Sequence, residues 1–103
     1  MASIKILKPS KDTENEPVKY SVEIIREEGE SEQSAKEKLE NFKKGLENDI
    51  LCEHPEYGVS IRFSNPGKKL ILEATYLYRT YALLTIREIA REQGLEVQEE
   101  ETP

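Results

Sequence analysis

The sequence contains no tryptophan, one cysteine (Cys52), one histidine (His54) and one methionine. Each scarcity removes a class of chemistry. A lone cysteine cannot close an intrachain disulfide, so a reducing interior is the expected compartment. A structural zinc site needs about four ligands, normally rich in Cys and His, and the chain offers one of each. No apolar run approaches the roughly 20 residues needed to span a bilayer. The opening MASIKILKPS lacks the long apolar segment of a secretory signal. The chain therefore reads as soluble, intracellular and cytoplasmic, with no membrane partner. The glycine-rich phosphate loops and the GxSxG nucleophile elbow are also missing, so no known pattern cradles a phosphate or mounts a serine.

Charge is what the chain has in abundance. Charged residues make up 35% of it and apolar residues 36%, with a net charge of −6. At 103 residues the chain fits one domain with a thin core, to which an oligomer interface could add burial. The negative balance disfavours a broad nucleic-acid footprint, which needs a clustered basic face, and docking on anionic lipid. The acidity is almost entirely glutamate, 19 Glu against two Asp, with few amides and many Lys and Ile. That balance is shared by proteins of thermophilic organisms and by those of AT-rich genomes, and composition does not separate the two.

Hydrophobic periodicity orders the chain. SIKILK (3–8) is a short strand with Ile4 and Ile6 on one face. Residues 9–17, bounded by prolines, read as a mobile loop. VKYSVEII (18–25) alternates Val18, Tyr20, Val22 and Ile24 with polar residues, the period of a half-buried strand. Ala35, Leu39, Phe42, Leu46 and Ile50 then recur at helical steps. The Ser34–Glu37 capping-box pattern places the helix start near Ser31 to Ser34, and Pro55 closes the segment. Gly45, inside this helix, marks either close packing or an early helix end.

GVSIRFSNPGKKLILEAT (58–75) is a hairpin. Asn65-Pro66-Gly67-Lys68 has the residues of a type II turn, with Pro at its second position and Gly at its third. Folding there pairs Phe63 with Leu70, Ile61 with Leu72 and Val59 with Ala74, and on the other face Arg62 with Ile71 and Ser60 with Glu73. A second helix carries Ala82, Leu83, Ile86, Ile89 and Ala90 on one face and ends at Gly94. LEVQ (95–98) is an optional last strand, and 99–103 read as an acidic disordered tail. The expected fold is a single α+β domain over 1–98: a two-layer sandwich in β-β-α-β-β-α(-β) order, with a mostly antiparallel sheet and two helices on one face.

CEHPEYG (52–58) is the one cluster of thiol, imidazole and carboxylate. A nucleophilic cysteine needs a base beside it, and this cluster reads as an ordinary helix-to-strand loop. Glu73 reads as a cross-strand partner of Arg62. No catalytic residue, metal site or cofactor is expected. The basic residues Lys68, Lys69, Arg79, Arg87 and Arg91, with tyrosines nearby, are the candidate nucleic-acid contacts, through an open sheet face or the Arg87/Arg91 edge.

The segment ending in LILEATYLYRTYALL resembles the small dimerising subunit of the tRNA-modifying KEOPS complex, in which an arginine enters the last helix as Arg79 does here. That resemblance implies two helices on a three-stranded sheet and a dimerising scaffold. SIKILK and the element order are similar to a small archaeal RNA-polymerase subunit, whose His- and Gly-Asn-containing helix motif is absent from SEQSAKEKLENF. No functional residue carries over from either.

Tyr76, Leu77, Tyr78, Tyr81 and Leu84 crowd the entry to the second helix. If the strand runs on to Arg79, Tyr76 and Tyr78 extend its inward face. If the helix starts near Thr75, it has two apolar faces, one of them Leu77, Tyr81 and Leu84, where a two-layer domain needs one. In both cases Tyr81 and Leu84 have no place in the core. The expected function is a non-catalytic interaction or assembly module, homodimeric by these residues, with nucleic-acid association as the alternative.

Overall fold

In a computed structural model the chain is described over residues 2–9, 16–51, 53–64 and 69–101. The elements are β1 (Ser3–Lys8), β2 (Val18–Ile25), α1 (Glu32–Leu46), a π-helical turn (Glu47–Leu51) and a 3-10 turn (Pro55–Tyr57). They are followed by β3 (Ser60–Phe63), β4 (Leu70–Ala74), a 3-10 turn (Tyr76–Tyr78), α2 (Arg79–Glu92) and β5 (Glu96–Glu101). The fold is of the α+β class. Most of the expected loop 9–17, and the type II turn at 65–68, lie outside the described residues. Among the described residues no helix is long and apolar enough to cross a membrane.

The five strands form one mixed sheet in the order β3-β4-β2-β1-β5. The hairpin takes the register its sequence dictates, with Ser60 opposite Glu73, Ile61 opposite Leu72, Arg62 opposite Ile71 and Phe63 opposite Leu70. Alternation then sorts the strands. Ile4, Ile6, Val18, Tyr20, Val22, Leu70, Leu72 and Ala74 are buried together with Leu39, Phe42, Leu46 and Ile50 of the first helical segment and Ala82, Ile86, Ile89 and Ala90 of α2. The two helices pack closely at Gly45. A Cβ there would come within 3.0 Å of Ile89 Cγ2 and Gln93 Nε2, so of its two readings close packing holds. Gln93 also donates from Nε2 to the Asn41 carbonyl at 3.1 Å.

The last strand departs from expectation. It continues to Glu101, so Glu99 to Glu101 belong to the sheet rather than to a disordered tail. It also pairs parallel to β1, Ser3 with Glu96 through Lys8 with Glu101, the one parallel ladder in the sheet. Basic neighbours account for the extension. Lys5 meets Glu100 at 3.1 Å and Lys8 meets Glu99 at 3.2 Å. Arg87 of α2 grips Glu99 with two hydrogen bonds, at 2.8 and 2.7 Å. Charge-assisted forks of this kind are among the stronger polar contacts, and Arg87 holds the Glu99 carboxyl below the usual carboxylate range, with Lys8 assisting. A glutamate-rich edge strand also discourages pairing with a further chain.

Helix α1 begins within the expected window of Ser31 to Ser34. Ser31 is the N-cap, its Oγ accepting from the Ser34 N–H at 3.1 Å. Glu30 reinforces this end. One carboxylate oxygen accepts from the Glu27 N–H at 3.1 Å; the other accepts from the Ser34 hydroxyl at 2.9 Å and pairs with Lys38. Lys38 first, then those donors, pull the Glu30 carboxyl from 4.5 to about 2.

Two outcomes follow. Because the folded value lies below the unfolded one, the Glu30 contribution is complete above pH 4.5 and disappears as pH falls toward about 2. Glu30→Gln should lower stability at neutral and alkaline pH and flatten that part of the acid-unfolding curve, so that variant and native chain converge as pH falls toward about 2, read by circular dichroism against pH. Phe42, fully buried between helix and sheet, should cost about 3–5 kcal/mol when replaced by Ala, read from urea unfolding as a lower midpoint at similar slope.

Candidate functional site

Past the last turn of α1, the π-helical segment Glu47–Leu51 keeps Ile50 in the core. Widened turns of this kind occur frequently at functional sites. On an uninterrupted α-helix Asp49 and His54, five positions apart, would stand about 140° apart around the axis. Here the turn is widened, and the chain leaves helical geometry at His54 (φ −133°, ψ 59°). As a result Asp49, Glu53 and His54 each bring a ligand-type atom within 4.8 Å of the others. The side chain of Cys52 lies outside the described residues.

Pro55 starts the 3-10 turn, and Gly58 ends it in the left-handed region at φ 61°. A Cβ at Gly58 would lie 2.7 Å from Thr75 Cγ2, so glycine is required both by the backbone and by the close approach. Thr75 donates from Oγ1 to the Tyr57 carbonyl at 3.1 Å. This docks the loop on the entry to α2 and sets up a ladder of rings. His54 stacks on Tyr57 at 4.6 Å and 5°. Tyr57 stacks on Tyr78 at 5.0 Å and on Tyr81 at 5.7 Å. Aromatic pairs at such separations contribute about 0.5–1.5 kcal/mol beyond area burial. Desolvation, then the charge of Glu56, raises the Tyr57 phenol above its ordinary value. His54 Nδ1 lies 3.2 Å from Glu56 Oε1. The Glu56 carboxyl is lowered by its own backbone N–H and then by His54.

The strand β4 ends at Ala74, and Tyr76–Tyr78 form a 3-10 turn leading into α2. Neither expected arrangement holds in full: the strand stops short of Arg79, and α2 starts at Arg79 rather than near Thr75. Tyr76 packs against the core, and the Arg79 guanidinium covers its ring at 3.7 Å while donating to the Tyr76 carbonyl at 2.7 Å. The Tyr20 hydroxyl donates to the Arg79 carbonyl at 3.1 Å, tying β2 to the helix start. Tyr78 joins the ring ladder. Leu77, Tyr81 and Leu84 remain on the surface, 73%, 54% and 49% exposed. Phe63, which hairpin pairing alone would place among apolar neighbours, is also exposed and lies under the Lys43 ammonium at 5.4 Å.

The basic candidates do not converge. Arg87 is held by Glu99 and Arg79 covers Tyr76. Lys69 sits at the hairpin end, where its N–H donates to Ser64 Oγ at 3.2 Å, and Arg91 sits in the last turn of α2. Lys68 lies outside the described residues. Glu73 meets Arg62 at 2.9 Å, the expected cross-strand partner, and Lys19 at 3.7 Å. An open groove of about 280 Å³ is lined by Leu7, Pro9, Lys19, Tyr20, Ser21 and Ile71; His54 is not among its lining residues. The cluster 52–58 that the sequence singles out contains Glu53 and Tyr57 but reads as an ordinary loop, and Asp49 lies outside it. The available signal was the four-residue step from Asp49 to Glu53, one helical turn ahead of His54.

No protein-family model, curated protein or solved structure matches the chain.

In an alkaline absorbance titration, Tyr57→Phe should remove a late-ionising phenol, and the remaining tyrosines should complete their transition at lower pH than in the native chain. An unchanged curve would mean that the Tyr57 environment is not desolvated.

Proposed function

We propose that the chain is a small non-catalytic interaction or assembly module, a two-layer sandwich with both helices on one sheet face, that self-associates through the outer face of α2. The observation that carries this reading is the exposure of Leu77, in the 3-10 turn, and of Tyr81 and Leu84, on a helix whose opposite side already fills the core. Over about seven positions at helical rise such a stripe runs about 10 Å. Exposed apolar groups that are contiguous mark contact surfaces more often than scattered ones do. Tyrosine favours such surfaces because it covers area with few rotatable bonds and keeps a polar tip.

A second copy is the occupant because a two-fold interface presents the same patch to itself, and a helix stripe with no net charge of its own meets its copy without repulsion. In a chain carrying −6 overall, most other faces would repel their copies. Tyr76 and Tyr78 act from beneath, by fixing the start of the helix. Nucleic-acid association has less support, since Arg87 and Arg79 are engaged within the chain and Lys69 and Arg91 stand on separate elements.

Sedimentation velocity should give a species of twice the 11.9 kDa chain mass. Tyr81→Glu and Leu84→Asp should each raise the dissociation constant about 30-fold or more, the effect of losing a central contact worth about 2 kcal/mol, while circular dichroism stays native. A monomer at all concentrations, or a dimer indifferent to both variants, overturns the reading.

A further inference from the structure

We infer that Asp49, Glu53 and His54 form a binding site for one divalent transition cation of borderline softness, of which zinc(II) is the type. The three ligand atoms lie within 4.8 Å of one another, a span across which a single ion at ordinary ligand distances of about 2.0–2.2 Å can be reached by small side-chain rotations. The donor set is one imidazole nitrogen with two carboxylates. Imidazole selects zinc, copper, nickel or iron over calcium and magnesium, which prefer all-oxygen sites. With three protein ligands, the remaining positions fall to water, as in zinc sites that keep an open position.

Two features separate this cluster from carboxylates that are merely close in a glutamate-rich chain. First, the imidazole is oriented by contacts from outside the three ligands. Tyr57 stacks flat on the ring, and Tyr78 and Tyr81 in turn hold Tyr57. Glu56 Oε1 lies 3.2 Å from Nδ1. A neutral His54 that donates from Nδ1 to Glu56 keeps its lone pair on Nε2. A carboxylate behind a ligating histidine is the usual device for fixing tautomer and raising ligand basicity. Second, the two carboxylates lack counter-charges. Elsewhere in the fold Lys5, Lys8, Lys19, Lys38, Lys43, Arg62 and Arg87 pair with glutamates. Among the described residues, neither Asp49 nor Glu53 has an ion-pair partner. A bound cation would supply the counter-charge that neither carboxylate has among the described residues.

The inference is independent of self-association, and it is tested on the full chain. His54 is the only histidine, so its ring resonances in a proton–nitrogen spectrum need no assignment. Zinc chloride added to metal-free protein should shift those resonances with saturation at one equivalent, and calorimetry should report the same stoichiometry. Asp49→Asn, Glu53→Gln and His54→Ala should each weaken binding more than tenfold, and Glu56→Gln by about tenfold through the ring's lost support. Cys52→Ser should leave binding unchanged. Asp49→Asn and Glu53→Gln preserve side-chain shape on the surface, and a native far-UV spectrum verifies their fold. No saturable binding up to about 1 mM zinc overturns the site. So does binding that leaves the His54 ring unshifted, that ignores the carboxylate variants, or that is lost in Cys52→Ser.

Discussion

One apolar core has to be filled, and the two helices that share it with the sheet dictate most of what else the molecule can do. Ile4, Ile6, Tyr20, Val22, Leu70 and Leu72 are buried together with Leu39, Phe42 and Leu46 of α1 and Ala82, Ile86 and Ile89 of α2. Burying a side chain of this size contributes about 1.5–3 kcal/mol, so rotating α2 to hide Leu77, Tyr81 and Leu84 would expose Ile86 and Ile89 in exchange. The close approach of the helices at Gly45 and Ile89 fixes the rotation further. The surface stripe is therefore a consequence of how the core is filled.

The same constraint acts at the other end of α1. Ile50 must remain in the core while the chain turns toward β3. The π-helical turn meets both demands, and in doing so it gathers Asp49, Glu53 and His54 on one side. Gly58 then lets the loop fold back against Thr75. Tyr57 is thereby pressed between His54 and the tyrosines of α2. Tyr81 belongs both to this ring ladder and to the exposed stripe. The two unusual surfaces of the molecule thus meet at one side chain, and the His54 ring is two stacks away, through Tyr57, from the face proposed for self-association.

Much of the fold is legible in residue order. The period-two runs of β1 and β2, the stripe from Leu39 to Ile50 and the hairpin register of Ile61 and Leu72 are local patterns, and local patterns survive folding. The departures arise where a distant partner overrides the local signal. EVQEEE has little strand character by itself; it becomes β5 because Lys5, Lys8 and Arg87 neutralise its glutamates beside β1. The start of α1, by contrast, falls at Ser31, inside the window its sequence marks. The site was partly legible: Tyr81 and Leu84 stand out as surplus to the core, but no short-range rule sends Tyr57 against Tyr78 and Tyr81.

By itself the sequence determined the α+β class, the identity of the core faces and the presence of apolar residues on α2 that the core has no room for. These depend on periodicity and composition, which each segment carries alone. Only the tertiary structure decided that β5 runs parallel to β1, that Arg87 is committed to Glu99, and that Asp49, Glu53 and His54 share one side of a widened turn beside a stack of rings. Those outcomes depend on which distant charges and rings meet. The packing of α1 and α2 into one core with the sheet sets those meetings, and no local pattern encodes them.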